Sequence, residues 1–232
     1  MEKFDRKKFK PAKAIVMYKH RINRQFAEIK DYIEETNNLI KIEQKRIEKF
    51  INNEVKEIEN EDEARDVVEF YIEDFDKYDK TYKELLMNST FVTSFSLFEH
   101  SFFRICQYAQ KEKESILSVS DLSGNGIASK CKKYIEKGLG VNWSSLNSNW
   151  QEITNYNKIR NLIVHNASNF KKEKNQPIEK QELFPMINGN PYIKQKYEHL
   201  GYFYVQDSQY INGFCNDAEN YLLNVIDLIL KN

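Results

Sequence analysis

AKAIVMYKHRINRQFAEIKDYIEETNNLIKIEQKRIEKFINNEVKEI, residues Ala12 to Ile58, contains neither Gly nor Pro. Phe26, Ile33, Ile40 and Ile47 recur every seven residues, and Ile15, Ile22, Ile29, Thr36, Glu43 and Phe50 occupy the alternate seam position. This spacing predicts one long helix with a coiled-coil-like stripe. Thr36 and Glu43 interrupt the apolar seam, which favours packing on the next helix or on a second subunit over a free-standing coiled coil.

Outward from that helix, the periodicity stays helical. A polar break at Asn60 to Glu63 precedes a second helix over Ala64 to Met87, with Val67, Tyr71, Phe75, Tyr78, Tyr82 and Leu85 at steps of three and four. After Asn88 and Ser89, the residues Phe91, Phe95, Phe98, Phe102, Ile105 and Ala109 form a strongly apolar face, the expected centre of the core. A loop from Ser115 to Gly126 and a short basic helix over Ala128 to Glu136 follow, and Gly138 and Gly140 end that helix. Ile153, Tyr156, Ile159 and Ile163 mark a further helix, starting near Ser144 to Asn149 and running to Ala167. From Asn169 to Pro191 the composition turns to Lys, Asn, Gln and Pro, so short strands or a loop are expected, with Tyr202 to Val205 as one edge of a small hairpin. Ile211, Cys215, Ala218, Leu222, Val225 and Ile229 describe the final amphipathic helix.

The whole-chain composition agrees with an all-α reading. The 232 residues include only 7 Gly and 4 Pro, too few turn formers for a many-stranded sandwich or barrel. The expected organisation is a long helical arm over residues 1–60 and a helical domain over 61–232, with an irregular or hairpin segment at about 169–206. No apolar run approaches the roughly 20 residues of a membrane span, and the basic stretch from Met1 to Lys13 has no apolar segment after it. A soluble, cytoplasmic protein is expected. Cys106, Cys131 and Cys215 are odd in number and widely spaced, so they read as reduced core thiols rather than a disulfide framework or zinc site. The 35 basic and 35 acidic residues cancel, yet Met1 to Lys30 and Ala128 to Lys174 are basic while Glu54 to Glu84 is acidic. Local fields, not net charge, would steer a polyanion.

No phosphate loop, dinucleotide fingerprint, HExxH or nucleophile elbow is present. One segment stands apart: Tyr156-Asn157-Lys158-Ile159-Arg160-Asn161-Leu162-Ile163-Val164-His165-Asn166. On a helix its isoleucines share one side, while Lys158, Asn161 and His165 lie on the other, with Arg160 next round and long enough to reach the same patch. A guanidinium can hold phosphate oxygens and transition-state charge, a carboxamide can orient a hydroxyl, and an imidazole can move protons near neutrality. The same residues also fit a solvated helix end, with Arg160 paired to an acid and His165 favoured by the helix dipole. Glu99, beside the aromatic face of its helix, is a candidate to orient Arg160 or His165, or else a structural partner of Arg104. His100 reads as a surface or boundary histidine, and His20 and His199 lack companions at ligand spacing. Lys130, Lys132, Lys133, Lys158, Lys171, Lys172 and Lys174, with Tyr134, Tyr156 and Phe170 among them, could steer and stack RNA or form a solvated face.

The string Arg160-Asn161, three residues, His165, near the end of the penultimate long helix of an all-helical chain, resembles the RNxxxH form of the Rx4-6H motif of the HEPN superfamily. The aromatic helix with Glu99 inside Ser-Leu-Phe-Glu-His-Ser-Phe-Phe is similar to an earlier core helix of that family, and Tyr134 to Gly140 to the connector after it. The resemblance covers about Phe91 to Ala167 closely and Ala64 to Lys231 as architecture, a HEPN-like helical bundle. It implies a metal-independent endoribonuclease without cofactor, of the toxin, abortive-infection or phage-defence kind. Arg160 would bind the scissile phosphate, Asn161 would position His165 or the ribose, and His165 would transfer protons as the 2′-hydroxyl attacks phosphorus, leaving a 2′,3′-cyclic phosphate. Lys158 and Glu99 would support them. Such cleavage needs both a base and an acid, whereas each chain offers one histidine in the motif, so a homodimer with facing motifs is expected, with Leu162 as an apolar contact between them. RNA and an antitoxin or regulatory protein are the implied partners. One branch of the family carries a modified Tyr two residues beyond the His; Ala167 stands there in this chain. The rival readings are a non-catalytic helical module that binds a protein or RNA through the long N-terminal helix, and a regulator that binds nucleotides at the same polar patch.

Overall fold

A computed structural model describes residues 11–173 and 175–231; Lys174, among the steering lysines named above, and the first ten residues of the basic N-terminal stretch lie outside the described residues. The fold is all-α, 76% helical, with one two-stranded hairpin. Its helices are α1 (Pro11–Val55), α2 (Glu61–Asp76), α3 (Lys83–Glu112), α4 (Ile127–Lys133), α5 (Asn147–His165), α6 (Phe184–Asn188) and α7 (Ser208–Lys231). The strands β1 (Ile193–Lys196) and β2 (Tyr202–Val205) lie between α6 and α7. Among the described residues, no helix is long and apolar enough to cross a membrane.

The chain forms two compact units, each assembled from separated segments. The first comprises Met1–Glu28, Val92–Asn161 and Asn212–Asn232. The heptad seam explains its share of α1, because Ile15, Ile22 and Phe26 are fully buried, Tyr18 adds to the same side, and most of the residues between them are exposed. An aromatic spine runs through this unit. Phe95 stacks on Phe214 with centroids 5.3 Å apart, Phe98 meets Tyr221 at 5.9 Å, and Phe102 meets the same Tyr221 edge-on at 5.6 Å. These rings are the three- and four-residue repeats of α3 and α7 brought face to face, burying large apolar area at each step. Lys19 and Asp227 form an ion pair between two segments 208 positions apart in sequence. All three cysteines are buried thiols.

The second unit comprises Ile29–Phe91 and Leu162–Ile211. Ile33 and Ile40 continue the α1 stripe into its core, whereas Phe50 is 44% exposed and meets Tyr71 of α2 edge-on at 5.1 Å. Helix α2 buries no residue and is capped by Asn60, whose side chain accepts the amide of Asp62 at 2.9 Å. The expected helix over Ala64 to Met87 is present, but a π-helical turn at Lys77–Tyr82 lies within it and joins α2 to α3 without a break. That turn inserts residues into the helical period and rotates the following face, so Leu85 is 62% exposed and Leu86 and Met87 are buried. Nor is there a break at Asn88 and Ser89. Helix α3 continues through both: the Ser89 hydroxyl donates back to the Leu85 carbonyl at 2.6 Å, and the Asn88 side chain accepts the Val205 amide at 3.3 Å.

The hairpin pairs Ile193 with Val205 and Lys196 with Tyr202 in antiparallel register. Phe203 and Val205 alternate inward, as the period of a half-buried strand requires. The segment before it, expected as strand or loop, contains α6, whose Pro185 sits in the first turn where no amide donor is missed. Gln181, only 4% exposed, pins this region: its Oε1 accepts the amides of Lys172 and Glu173 at 3.0 and 3.1 Å, and its Nε2 donates to the Glu173 carbonyl at 2.9 Å. Gly201, at φ +76°, passes so close to Lys171 that a Cβ would lie 2.8 Å from the lysine Cβ.

Candidate active site

Helix α5 carries Lys158, Arg160, Asn161 and His165 on a single element. Ile153 and Ile159 are buried at 1% exposure, and Tyr156 turns the same side inward. The Tyr156 ring packs on Phe214 at 5.0 Å and its hydroxyl donates to Asp217 at 3.0 Å, with burial and the aspartate together pushing the phenol far above its usual range. This inward side fixes the helix's rotation and leaves Lys158, Asn161 and His165 exposed.

Arg160 is half-buried and its guanidinium is held rather than free. Its Cζ lies 5.9 Å from the centre of the Phe95 ring, and its Nη1 donates to the Asn161 carboxamide at 3.0 Å. Its Nε–H is buried with no hydrogen-bond partner. No carboxylate among the described residues lies within 4 Å of it, so the structural ion pair is replaced by a ring and an amide, neither of which cancels the charge. Glu99 is the acid whose field reaches it. Burial is the main influence on the Glu99 carboxyl and raises its pKa, while the Arg160 charge and the Ala128 amide, which donates to it, pull the other way. The alternative partner of Glu99 is occupied elsewhere: Arg104 donates to Gln107 at 2.9 Å and lies over the Tyr108 ring at 5.4 Å.

His165 is the last residue of α5, one helical turn beyond Asn161, and is exposed. The helix stops there through backbone geometry: the amides of Asn166 and Ser168 both bond the Leu162 carbonyl at 3.0 Å, and Ala167 and Ser168 adopt left-handed φ values of 49° and 59°. The helix therefore ends two residues before the expected Ala167. Leu162 is only 5% exposed within its own chain, so it cannot serve as the apolar contact between subunits; Val164, 43% exposed, is the apolar residue of that turn that faces solvent.

The lysines named from sequence divide. Lys132 lies over the rings of Trp143 and Trp150 at 6.0 and 5.6 Å, and Lys133 donates to the Ser123 carbonyl at 3.2 Å. Lys172 pairs with Glu182 at 3.4 Å and Lys171 reaches the His199 carbonyl at 3.5 Å. Lys158 stays exposed on α5. The contacts of Phe95 with Arg160 and of the Ala128 amide with Glu99 escaped the sequence reading because both join distant segments. The sole signal in the sequence was that Phe95 lies one helical turn before Glu99. Among the described residues, no group of three or more His, Cys, Asp or Glu side chains is placed to hold a metal ion.

No family model matches this chain, and neither a curated protein nor a solved structure matches it.

Proposed function

We propose that the chain is a HEPN-type endoribonuclease that cleaves RNA by attack of the 2′-hydroxyl on the adjacent phosphorus, with Arg160, Asn161 and His165 as its site. The observation that carries this reading is the state of Arg160: a half-buried guanidinium, seated on Phe95, tied to Asn161 and left with an unpaired Nε–H, on the helix that ends in His165. A positive charge held in place without a contacting carboxylate favours a phosphate oxygen, and strengthens as negative charge develops on phosphorus. Asn161 holds the guanidinium plane, and the exposed His165 imidazole takes the 2′-hydroxyl proton or protonates the leaving 5′-oxygen. One imidazole cannot do both in a single step, so the working form is a two-fold homodimer with paired motifs. Its cellular setting is a toxin or phage-defence effector of the cytoplasm, held in check by a regulatory protein.

The test is cleavage of total tRNA and mRNA in excess EDTA by wild type and His165→Ala. Wild type should cut and leave 2′,3′-cyclic phosphate ends, and His165→Ala should lose roughly a hundredfold or more of the rate, the usual scale for a proton-transfer group, with its circular dichroism and oligomeric state unchanged. Cutting by both proteins alike removes His165 from the mechanism. If neither cuts, the chain is instead a non-catalytic binding module.

A further inference from the structure

Beside Arg160 the first unit contains a cavity of about 50 Å³ that the cleavage chemistry does not use. Its walls include Phe95, Glu99, Trp150, Ile153, Thr154 and Asn157, so the ring that seats Arg160 and the acid that feels its charge also wall this space. Its size admits the edge of a planar ring rather than a whole nucleotide. The lining combines aromatic surface with a few convergent polar groups, the composition of a small-molecule or base pocket. Trp150 is half-buried, the Thr154 hydroxyl is committed to the Trp150 carbonyl at 2.8 Å, and Glu99, Asn125, Ser129 and Asn157 complete the polar lining, with Glu99 its one carboxylate.

We propose that this cavity is a nucleobase subsite selective for guanine, with the Glu99 carboxylate reading the base edge and Trp150 as an aromatic wall. This rests on the nuclease reading above. The selection follows from the edges of the four bases. A carboxylate only accepts hydrogen bonds, and its two oxygens want two donors side by side. Guanine offers N1–H and N2–H next to one another. Adenine and cytosine each place a ring acceptor beside their single amino group, and uracil flanks one N–H with two carbonyls, so each sets a lone pair against the carboxylate. Asn157, which can donate through its amide, suits the guanine O6 that completes the edge. Single-stranded RNA is recognised in this manner, by unstacked bases laid on aromatic rings and read along their Watson–Crick edges. With Arg160 adjacent, the base read is one neighbouring the scissile phosphate.

The experiment uses the full chain. Cleavage of short RNAs that differ only in the base beside the cut site gives kcat/KM for each base, and Trp fluorescence with guanosine 3′-monophosphate or adenosine 3′-monophosphate reports binding without cleavage. We expect guanine to be favoured over adenine by about ten- to a hundredfold, the worth of one good two-bond base contact. Glu99→Gln should collapse that ratio toward one, and only the guanine nucleotide should quench wild-type fluorescence. Asn157→Ala, a change at a half-buried position, should lower the same ratio and replaces Glu99→Gln if that variant fails to fold by circular dichroism. Cleavage with no base preference, or a preference unmoved by both variants, overturns the subsite while the nuclease stands. If wild type does not cleave at all, the nuclease reading fails and binding decides: quenching by the guanine nucleotide, lost in Glu99→Gln, keeps the pocket, and no quenching or equal quenching by both nucleotides overturns it.

Discussion

Glu99 illustrates how one side chain's surroundings become a measurable pH dependence. Burial outweighs the pull of Arg160, so the carboxyl holds its proton more tightly in the folded chain than in the unfolded one. The folded state then binds more protons, and stability falls as pH rises from the ordinary glutamate value of about 4.3 through the raised one. Glu99→Gln, which has no charge to bury, should match wild type in urea unfolding near pH 4 and exceed it at pH 7. A second residue-scale consequence lies just past His165. Ala167 and Ser168 both take left-handed φ values that cost side-chain-bearing residues roughly 1–2 kcal/mol each. Ala167→Gly should therefore raise the free energy of unfolding by up to about 1 kcal/mol, read from the denaturation midpoint.

At the level of elements, α2 depends most on local chemistry. It buries nothing, so the Asn60 cap and its acidic first turn of Glu61, Asp62 and Glu63 make up much of what starts it. Asn60→Ala should cost about 1 kcal/mol and appear as faster amide exchange over residues 61–65, with little change in residues 92–109. Elements like α1 and α7 were legible in the sequence because their burial follows a strict period: Ile15, Ile22, Phe26, Ile33 and Ile40 are all inside. The strand at Tyr202 to Val205 was legible for the same reason, with a period of two. What escaped was set by contacts rather than by period. The π-helical turn at Lys77–Tyr82 sits in an unbroken aromatic repeat, the continuity of α3 through Asn88 goes with a bond to Val205, and α6 lies in a segment whose polar composition hides it. The candidate site divides likewise. Arg160, Asn161 and His165 could be picked out by type and spacing, but the ring beneath the guanidinium comes from α3 and the cavity near it from α3, α4 and α5 together, and neither could.

The chain passes between its two units repeatedly, and α1 supplies core to each: Ile15, Ile22 and Phe26 to the first, Ile33 and Ile40 to the second. A fragment over residues 61–232 lacks six fully or nearly fully buried side chains, Tyr18 among them, each worth roughly 1.5–3 kcal/mol of burial. That sum rivals the 5–15 kcal/mol of a typical domain, so the fragment should show no cooperative unfolding transition by circular dichroism, whereas the whole chain does. The same threading bears on how the protein is made. As the ribosome delivers the chain from its N-terminus, Phe95, Phe98 and Phe102 emerge long before Phe214 and Tyr221, the rings that cover them. Until residues 212–232 leave the exit tunnel, a greasy helix waits without its lid, which makes this nascent chain a natural client for chaperones and delays any activity at α5 until translation has passed α7.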